Sequence, residues 1–323
     1  MAELRAAVIG VGYLGNFHVE KYQRISGVRL VGVADTNLDR AKEIASRYQV
    51  KAYQNYESLL PEVDLVSIVV PSVEHFEVAK NCLKVGVHCL VEKPLTELVS
   101  QADELVSLAR EKKAVLQVGH LERFNPVIRK VSGLIKNPER IKTRRFSNYQ
   151  PRGTETDVIL DLMIHDLDIV LSFAKSEVSG VQATGAKVIT DHIDIANAKV
   201  SFQNGLVAEL QASRVSSEAV RDTEIYSEGG VYYLNYLTHE VRISRAADGC
   251  SSSEQSLRVL DEANSRVDAL YDEVAAFVAS ISSGISPVVT GEDGKRALGL
   301  AVEISSRIKK AERKESGNLI RSD

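Results

Sequence analysis

The sequence predicts an α/β protein in two parts: a doubly wound parallel sheet over residues 1–120, then an α+β region over 121–323 with an open-faced, mostly antiparallel sheet. Three observations predict it. An apolar strand, Leu4 to Ile9, runs into Gly10-Val11-Gly12-Tyr13-Leu14-Gly15 and then a helical pattern. Strand-like and helix-like segments alternate from there to Val118, the rhythm of βαβ units with right-handed crossovers. Past His120 that rhythm gives way to short strands separated by hairpin signals.

Length and charge bound the function. A chain of 323 residues exceeds one average domain, so two are expected, with the last two helices free to pack back on the first. A net charge of −4 and a pI near 6.0 argue against a nucleic-acid or anionic-membrane binder. The amino terminus runs straight into a strand, and no run of 18 or more apolar residues is present, which points to the cytoplasm. Cys82, Cys89 and Cys250 form no CxxC pair and read as small buried hydrophobes of a reducing compartment, with no metal site implied.

The first strand and its glycines carry the most specific signal. Leu14, Phe17, Lys21, Tyr22 and Ile25 recur at helical spacing, so a helix starts at the third glycine. A second strand, Val28 to Ala34, ends in Asp35, about twenty residues beyond Gly15, completing the fingerprint of a Rossmann dinucleotide site. Gly10 permits the tight turn, Gly12 lets the backbone approach a pyrophosphate, and Gly15 allows close helix packing. The N–H groups of the helix start, Tyr13 and Leu14 included, and its positive end then hold the phosphates. Asp35 accepts from both adenosine ribose hydroxyls and repels an extra phosphate. Neither Thr36 nor Asn37 is the arginine that NADP needs, so the cofactor is NAD. Asp35 as a mere cap of the next helix is set aside on the full context.

Leu38, Ala41, Ile44, Ala45 and Tyr48 line one helix face. Val63 to Val70 is apolar enough to be buried on both faces and ends in Pro71-Ser72, with His75 in the next helix, Glu74 to Val85. Pro71, Ser72 and His75 fall where the nicotinamide half of the cofactor crosses the sheet, and His75 reads equally as a helix-surface residue. Val87 to Val91 closes in Glu92-Lys93-Pro94; a lysine at the carboxyl end of such a strand points at whatever lies over the sheet. Glu92 is either a cofactor contact or a structural partner. A helix from Glu97 to Lys112 and a strand from Val115 to Val118 finish the alternation.

The second part opens with Gly119-His120-Leu121-Glu122-Arg123-Phe124-Asn125-Pro126, a helix from Pro126 to Lys136, and a strand from Ile141 to Tyr149. The run Val158 to Leu171 is too apolar and too long for a strand and reads as one largely buried helix. Asp161 and His165 are four apart on one face, and Asp168 continues the stripe. Ionisable groups in a buried helix need a reason. A satisfied structural network, a metal site and a general base oriented by a carboxylate all fit the helix taken alone. Beside a dinucleotide domain the base is the preferred reading. Six strands follow between Gly180 and Ser244, with hairpin signals at Gln203-Asn204-Gly205 and Glu228-Gly229-Gly230, then a serine-rich loop from Ala246 to Glu254. Helices from Val267 to Ser282 and from Glu292 to Lys310 close the chain. A sheet covered on one face only favours self-association through the other.

Taken together, these motifs resemble the Gfo/Idh/MocA oxidoreductases of sugars and cyclitols. The resemblance spans essentially the whole chain. It rests on the glycine fingerprint with Asp35, Glu92-Lys93-Pro94, Asp161-xxx-His165-Asp166-x-Asp168, and Thr290-Gly291-Glu292-Asp293-Gly294. It implies an active site of Lys93, Asp161 and His165 facing the nicotinamide ring, with Glu92 nearby, and a homodimer or homotetramer built on the carboxy-terminal sheet. His165 takes the proton of a sugar secondary alcohol, Lys93 polarises the reacting oxygen, and Asp161 fixes the imidazole or a neighbouring hydroxyl. The stretch around His120, Arg123 and Asn125, with Arg152, Asp157 and Asp161, is similar to the subgroup oxidising C3 of UDP-N-acetylglucosamine or its uronic acid, the former feeding a 3-amino sugar into lipid A. A diphosphate needs arginines, and Arg123, Arg145 and Arg152 are the candidates, each of which reads equally as a surface or ion-paired arginine. The alternatives are a cyclitol or simple-sugar dehydrogenase and, from another class, a nucleotide-sensing protein without catalysis.

Overall fold

The computed structural model describes residues 3–151, 154–246, 252–258 and 268–319. They divide into two compact units, one of Met1–Phe124 with Asp268–Leu298, the other of Asn125–Val267 with Gly299–Asp323.

The first unit begins β1 (Leu4–Ile9), α1 (Tyr13–Arg24), β2 (Val28–Ala34), α2 (Leu38–Tyr48), β3 (Lys51–Tyr53), β4 (Leu65–Ile68), α3 (Ser72–Lys84), β5 (His88–Glu92), α4 (Val99–Lys112) and β6 (Leu116–Gly119). The strands lie in the order β3-β2-β1-β4-β5-β6, and every pair is parallel. Strand order reverses between β1 and β4, which opens the ligand crevice of such sheets at the strands' carboxyl ends. Ala6, Ala7 and Val8 are fully buried, as strands covered on both faces require. A 3₁₀ turn, Leu121–Phe124, ends this stretch.

The second unit continues with α5 (Pro126–Val131), β7 (Pro138–Phe146), a π turn at Ile159–Met163, α6 (Ile164–Ala174), β8 (Val178–Ala186), β9 (Ile195–Phe202), β10 (Val207–Ser213), β11 (Val220–Ser227), β12 (Gly230–Asn235), β13 (Glu240–Ala246) and β14 (Ser252–Arg258). Its eight strands run β14-β13-β12-β11-β7-β10-β9-β8, antiparallel except for β7 beside β10. Along β9, Ala196, Ala198, Val200 and Phe202 point inward while Asn197 and Lys199 face out. That alternation marks a sheet with one apolar and one wet face. Two helices follow, α7 (Ala269–Ser283) and α8 (Gly291–Leu319); α7 and the first turns of α8 belong to the first unit. Val274 and Phe277 of α7 share a core with Val19, Tyr22 and Leu90.

Five details depart from the sequence reading. Helix α1 starts at Tyr13, ahead of the third glycine, because Gly12 already serves as its N-cap. Strand β3 is too short for its periodicity to show. Helix α5 stops at Val131 rather than Lys136, two residues before Gly133, whose entropy cost disfavours a helix interior. The helix expected as one piece from Val158 is a π turn followed by α6. Ser252, Ser253 and Glu254 of the serine-rich stretch belong to edge strand β14, whose backbone pairs with β13, while residues 247–251 lie outside the described residues. Cys82 and Cys89 are buried, and Cys250 lies outside the described residues. Among the described residues no helix is long and apolar enough to cross a membrane.

Candidate active site

The glycine turn is shaped by close approaches. Gly10 has φ +85, and a Cβ there would lie 2.5 Å from the Val69 carbonyl oxygen. A Cβ on Gly15 would lie 1.9 Å from the Gly10 oxygen, so only glycine lets α1 pack on its own turn. A Cβ on Gly12, by contrast, would meet no protein atom within 4 Å. Packing does not demand glycine there; an approaching pyrophosphate does. The first turn of α1 carries no acidic residue to compete for its N–H groups, Tyr13 is exposed and Leu14 half-buried. Asp35 accepts from the Val11 N–H through Oδ2 and from the Asn37 N–H through Oδ1, both at 2.9 Å, while Thr36 beside it is exposed. These residues fit a dinucleotide: a carboxylate for the ribose, an open helix start for the phosphates.

Arg40 was not visible from the sequence as part of this site. Its Nε donates to the Val11 carbonyl at 2.9 Å, so Asp35 and Arg40 grip the two sides of one residue. An arginine therefore stands near Asp35 after all, in the first turn of α2. Asp35→Ser is expected to lower kcat/KM for NAD by roughly 10- to 100-fold, the worth of charge-assisted hydrogen bonds, and to raise turnover with NADP. Parallel assays with the two cofactors check this.

At the end of β5, Glu92 finds structural partners. Its Oε1 accepts from His18 Nε2 at 3.1 Å, and His18 is fully buried. A Cβ on Gly119 of the neighbouring strand would press on the Glu92 carboxyl at 2.9 Å, so that glycine makes room for it. Burial works to raise the Glu92 carboxyl, but His18, His75 and Lys93 outweigh it and hold it below the usual range. Half-buried Lys93 follows directly, joined to Pro94 by a cis peptide bond. Pro71 caps α3, and Ser72 is its first residue. The helix-surface reading of His75 is corrected: it is buried, with Nδ1 2.7 Å from the Pro94 oxygen and Nε2 3.0 Å from the Val70 oxygen. Burial lowers its pKa despite those carbonyls.

Glu273 of α7 is a second acid that the sequence reading missed. It is fully buried, and neither carboxyl oxygen meets a hydrogen-bond partner among the described residues. Burial first, then the charge of Glu92, push it well above the usual carboxylate range, so it is held as a neutral acid. Such a group costs no stability where the unfolded chain is also protonated. The cost grows as pH rises above the ordinary carboxylate range toward the folded pKa. Glu273→Gln should therefore match the wild-type Tm near pH 4 and exceed it near pH 8, which thermal unfolding across pH will check.

In the second unit, the run from Val158 to Ala174 is buried except at a few positions. Its partly open ionisable residues are Asp161 and His165, while Asp166 and Asp168 are 1% exposed. The Ile164 N–H reaches five residues back to the Ile159 carbonyl, and this π turn changes the register between Asp161 and His165. π turns recur at functional sites. Asp168, expected on the same stripe, is instead turned into the core. Among the described residues no three His, Cys, Asp or Glu side chains are placed to share a metal.

The arginines sort between the two readings. Arg145 is not a diphosphate ligand: it is 3% exposed, and its Nε and Nη2 donate to Asp166 at 2.9 and 2.8 Å. This bidentate pair anchors α6 to β7. Arg145→Met leaves the Asp166 carboxylate buried without that partner, and urea unfolding should show a loss of about 3–5 kcal/mol. Arg123 is half-buried in the 3₁₀ turn. Asn125 is buried, and its Oδ1 accepts from the Val127 N–H to cap α5, which accounts for it without a substrate. Arg152 lies outside the described residues.

Comparison with known proteins follows the same outline. The Gfo/Idh/MocA profile, described as an oxidoreductase family with an NAD-binding Rossmann fold, matches residues 4–120, and the family's carboxy-terminal-domain profile matches residues 128–233. The chain is 38% identical over 307 residues to a UDP-N-acetylglucosamine 3-dehydrogenase of Acidithiobacillus ferrooxidans, spanning 94% of this chain and 97% of that protein. It is 26% identical over 314 residues to a myo-inositol 2-dehydrogenase of Thermotoga maritima, spanning 91% and 93%. The solved structure of the Acidithiobacillus enzyme superposes with a TM-score of 0.89 at 35% identity over 96% of this chain and 99% of that one. A levoglucosan dehydrogenase solved with NADH shares the fold, with a TM-score of 0.86 at 19% identity over 95% and 97%.

Proposed function

Because this chain belongs to the Gfo/Idh/MocA family of NAD-binding oxidoreductases, we propose that it oxidises the C3 hydroxyl of UDP-N-acetylglucosamine to a ketone. One observation carries the chemistry: an otherwise buried helix leaves two ionisable side chains partly open, Asp161 and His165. The substrate follows from near full-length similarity to an enzyme named for this reaction.

NAD, when bound, supplies the hydride acceptor. Gly10, Gly12 and Gly15 shape the turn, the N–H groups of Tyr13 and Leu14 hold the pyrophosphate, and Asp35 with Thr36 holds the ribose. Pro71 and Ser72 border the nicotinamide half. His165 takes the hydroxyl proton as the carbon gives up its hydride. Lys93 donates to the reacting oxygen and stabilises the alkoxide charge that develops on it. Asp161 orients the imidazole or a neighbouring hydroxyl. Glu92, held by His18, fixes the turn that carries Lys93. Arg123 and Arg152 serve the diphosphate.

The keto sugar is a substrate for amino transfer, which makes a 3-amino sugar for lipid A the natural product line. A reaction on a nucleotide sugar and NAD supports a cytoplasmic location. Self-association, as a dimer or tetramer, is assigned to the outer face of the eight-stranded sheet, where Lys142, Lys199, Glu209 and Glu224 lie; sedimentation velocity tests it.

The reaction is tested by mixing the protein with NAD and a panel of UDP-sugars, inositols and simple sugars and following NADH absorbance. NADH with UDP-N-acetylglucosamine supports the proposal. Turnover of inositol or glucose alone moves the substrate to cyclitols or free sugars, and no turnover at all favours a sensor.

A further inference from the structure

We propose that Asp157 is a positioning residue for the dehydrogenase reaction, its carboxylate fixing the start of the helix that presents Asp161 and His165. The inference rests on the reading of His165 as the base.

An aspartate just before a helix ordinarily turns its side chain onto that helix's own free N–H groups. Asp157 does not. Its main-chain oxygen accepts from the N–H groups of Leu160 and Asp161 at 3.0 and 3.1 Å, so it is one turn away from the catalytic carboxylate. Its side chain points elsewhere. Oδ1 accepts from the Ile193 N–H at 3.1 Å, and Oδ2 accepts from Ser305 Oγ at 3.2 Å and from Lys309 Nζ at 2.7 Å. Asp157 is 4% exposed, and its bonds to Ile193 and Ser305 are buried, where such bonds are strong, while the Lys309 side chain stays half exposed. Burial works to raise its carboxyl, but Lys309, the Ile193 N–H and Ser305 outweigh that and keep it ionised.

A second charged pair clamps the same stretch from the other side. Arg214 donates to the Thr156 carbonyl, and to the Ile193 carbonyl at 3.2 Å. Its Nε lies 3.5 Å from Asp194 Oδ1. Asp194 is itself fixed by the N–H groups of Val188, Ile189 and Thr190 and by the Thr190 hydroxyl; burial works to raise it, and these bonds outweigh that and hold it at about 2. The Val158 N–H completes the clamp on the Ile193 oxygen at 2.8 Å. Ile193 is thus the anvil: Asp157 takes its N–H, and Arg214 and Val158 take its C=O.

A helix that opens with a π turn has a register that could relax to the regular α form, and these external bonds oppose that. A shift of one ångström at Asp157 passes through its main-chain bonds to Leu160 and Asp161 and along the helix to His165. Misplacement on that scale costs about 100-fold in rate even when no reacting group is touched.

The test compares wild-type, Asp157→Ala, Asp157→Asn and Lys309→Met proteins for kcat, for the KM of NAD, and for amide hydrogen exchange over residues 159–165. In Asp157→Ala kcat should fall about 100-fold, and in Asp157→Asn, which keeps an oxygen for the Ile193 N–H, about tenfold. The KM of NAD should hold in both, and exchange over 159–165 should quicken. A folded Asp157→Ala protein with wild-type kcat overturns the inference, as does a kcat loss matched by a rise in the KM of NAD, which marks general damage. If Asp157→Ala does not fold, Lys309→Met decides, because it removes only the outer partner: reduced kcat supports the inference and unchanged kcat overturns it. If the wild-type protein itself reduces no NAD with any sugar, the dehydrogenase reading has failed separately. Exchange over 159–165 then decides, and no change in the Asp157 variants overturns the inference.

Discussion

Replacing His165 by alanine is expected to lower kcat by roughly 10²–10⁴-fold, the usual worth of a positioned general base, with the KM of NAD nearly unchanged. The side chain stands partly open, unlike most of its run, so the fold should survive its removal. The dinucleotide turn is built wholly within the first unit, from Gly10 to Gly15 and Asp35, and nothing in it depends on the imidazole. Loss of rate without loss of cofactor affinity is therefore the signature. Exogenous imidazole should restore part of the activity, since the missing function is proton removal. Steady-state kinetics with varied NAD, with and without imidazole, checks both statements.

Lys93→Met should lower kcat by roughly 10²–10³-fold, the loss seen when one preorganised donor to a developing oxyanion is removed. Methionine keeps the length of the side chain and removes the charge, so the effect reports on the ammonium group. Lys93→Arg should rescue poorly, because a planar fork cannot place a single point charge where an ammonium does. The turn itself should survive either change, since Glu92 with His18 and the Pro94 oxygen with His75 hold it from below. Circular dichroism and the KM of NAD separate this from unfolding.

The sequence made local features legible because their causes are local. The glycines at 10, 12 and 15 are set by turn geometry and helix packing, Asp35 by its place after β2, and Lys93 by the strand it closes. What stayed hidden depends on residues far apart in the chain. Glu92 could be read either way until His18 and Gly119 were beside it. Yet His18 lies with Gly15, Val19 and Tyr22 on the buried stripe of α1, and a histidine in such a stripe signals a partner to be found. Glu273 acquires meaning only where α7 shares the core of the first unit. Arg145 looked like a phosphate ligand because arginine serves both purposes, and only the bidentate bond to Asp166 separates them. The π turn inserts its shift without any glycine or proline to announce it, so the spacing of Asp161 and His165 alone is that of an α-helix.

The central claim is that hydride leaves C3 of a UDP-sugar for the nicotinamide held over the first unit's sheet. UDP-N-acetylglucosamine deuterated at C3, incubated with the protein and NAD, tests it directly by mass spectrometry and proton NMR of the reduced cofactor. One deuterium at C4 of the nicotinamide and slower turnover than with unlabelled sugar are expected. NADH formed without deuterium, or no reduction of NAD by this sugar, would contradict it.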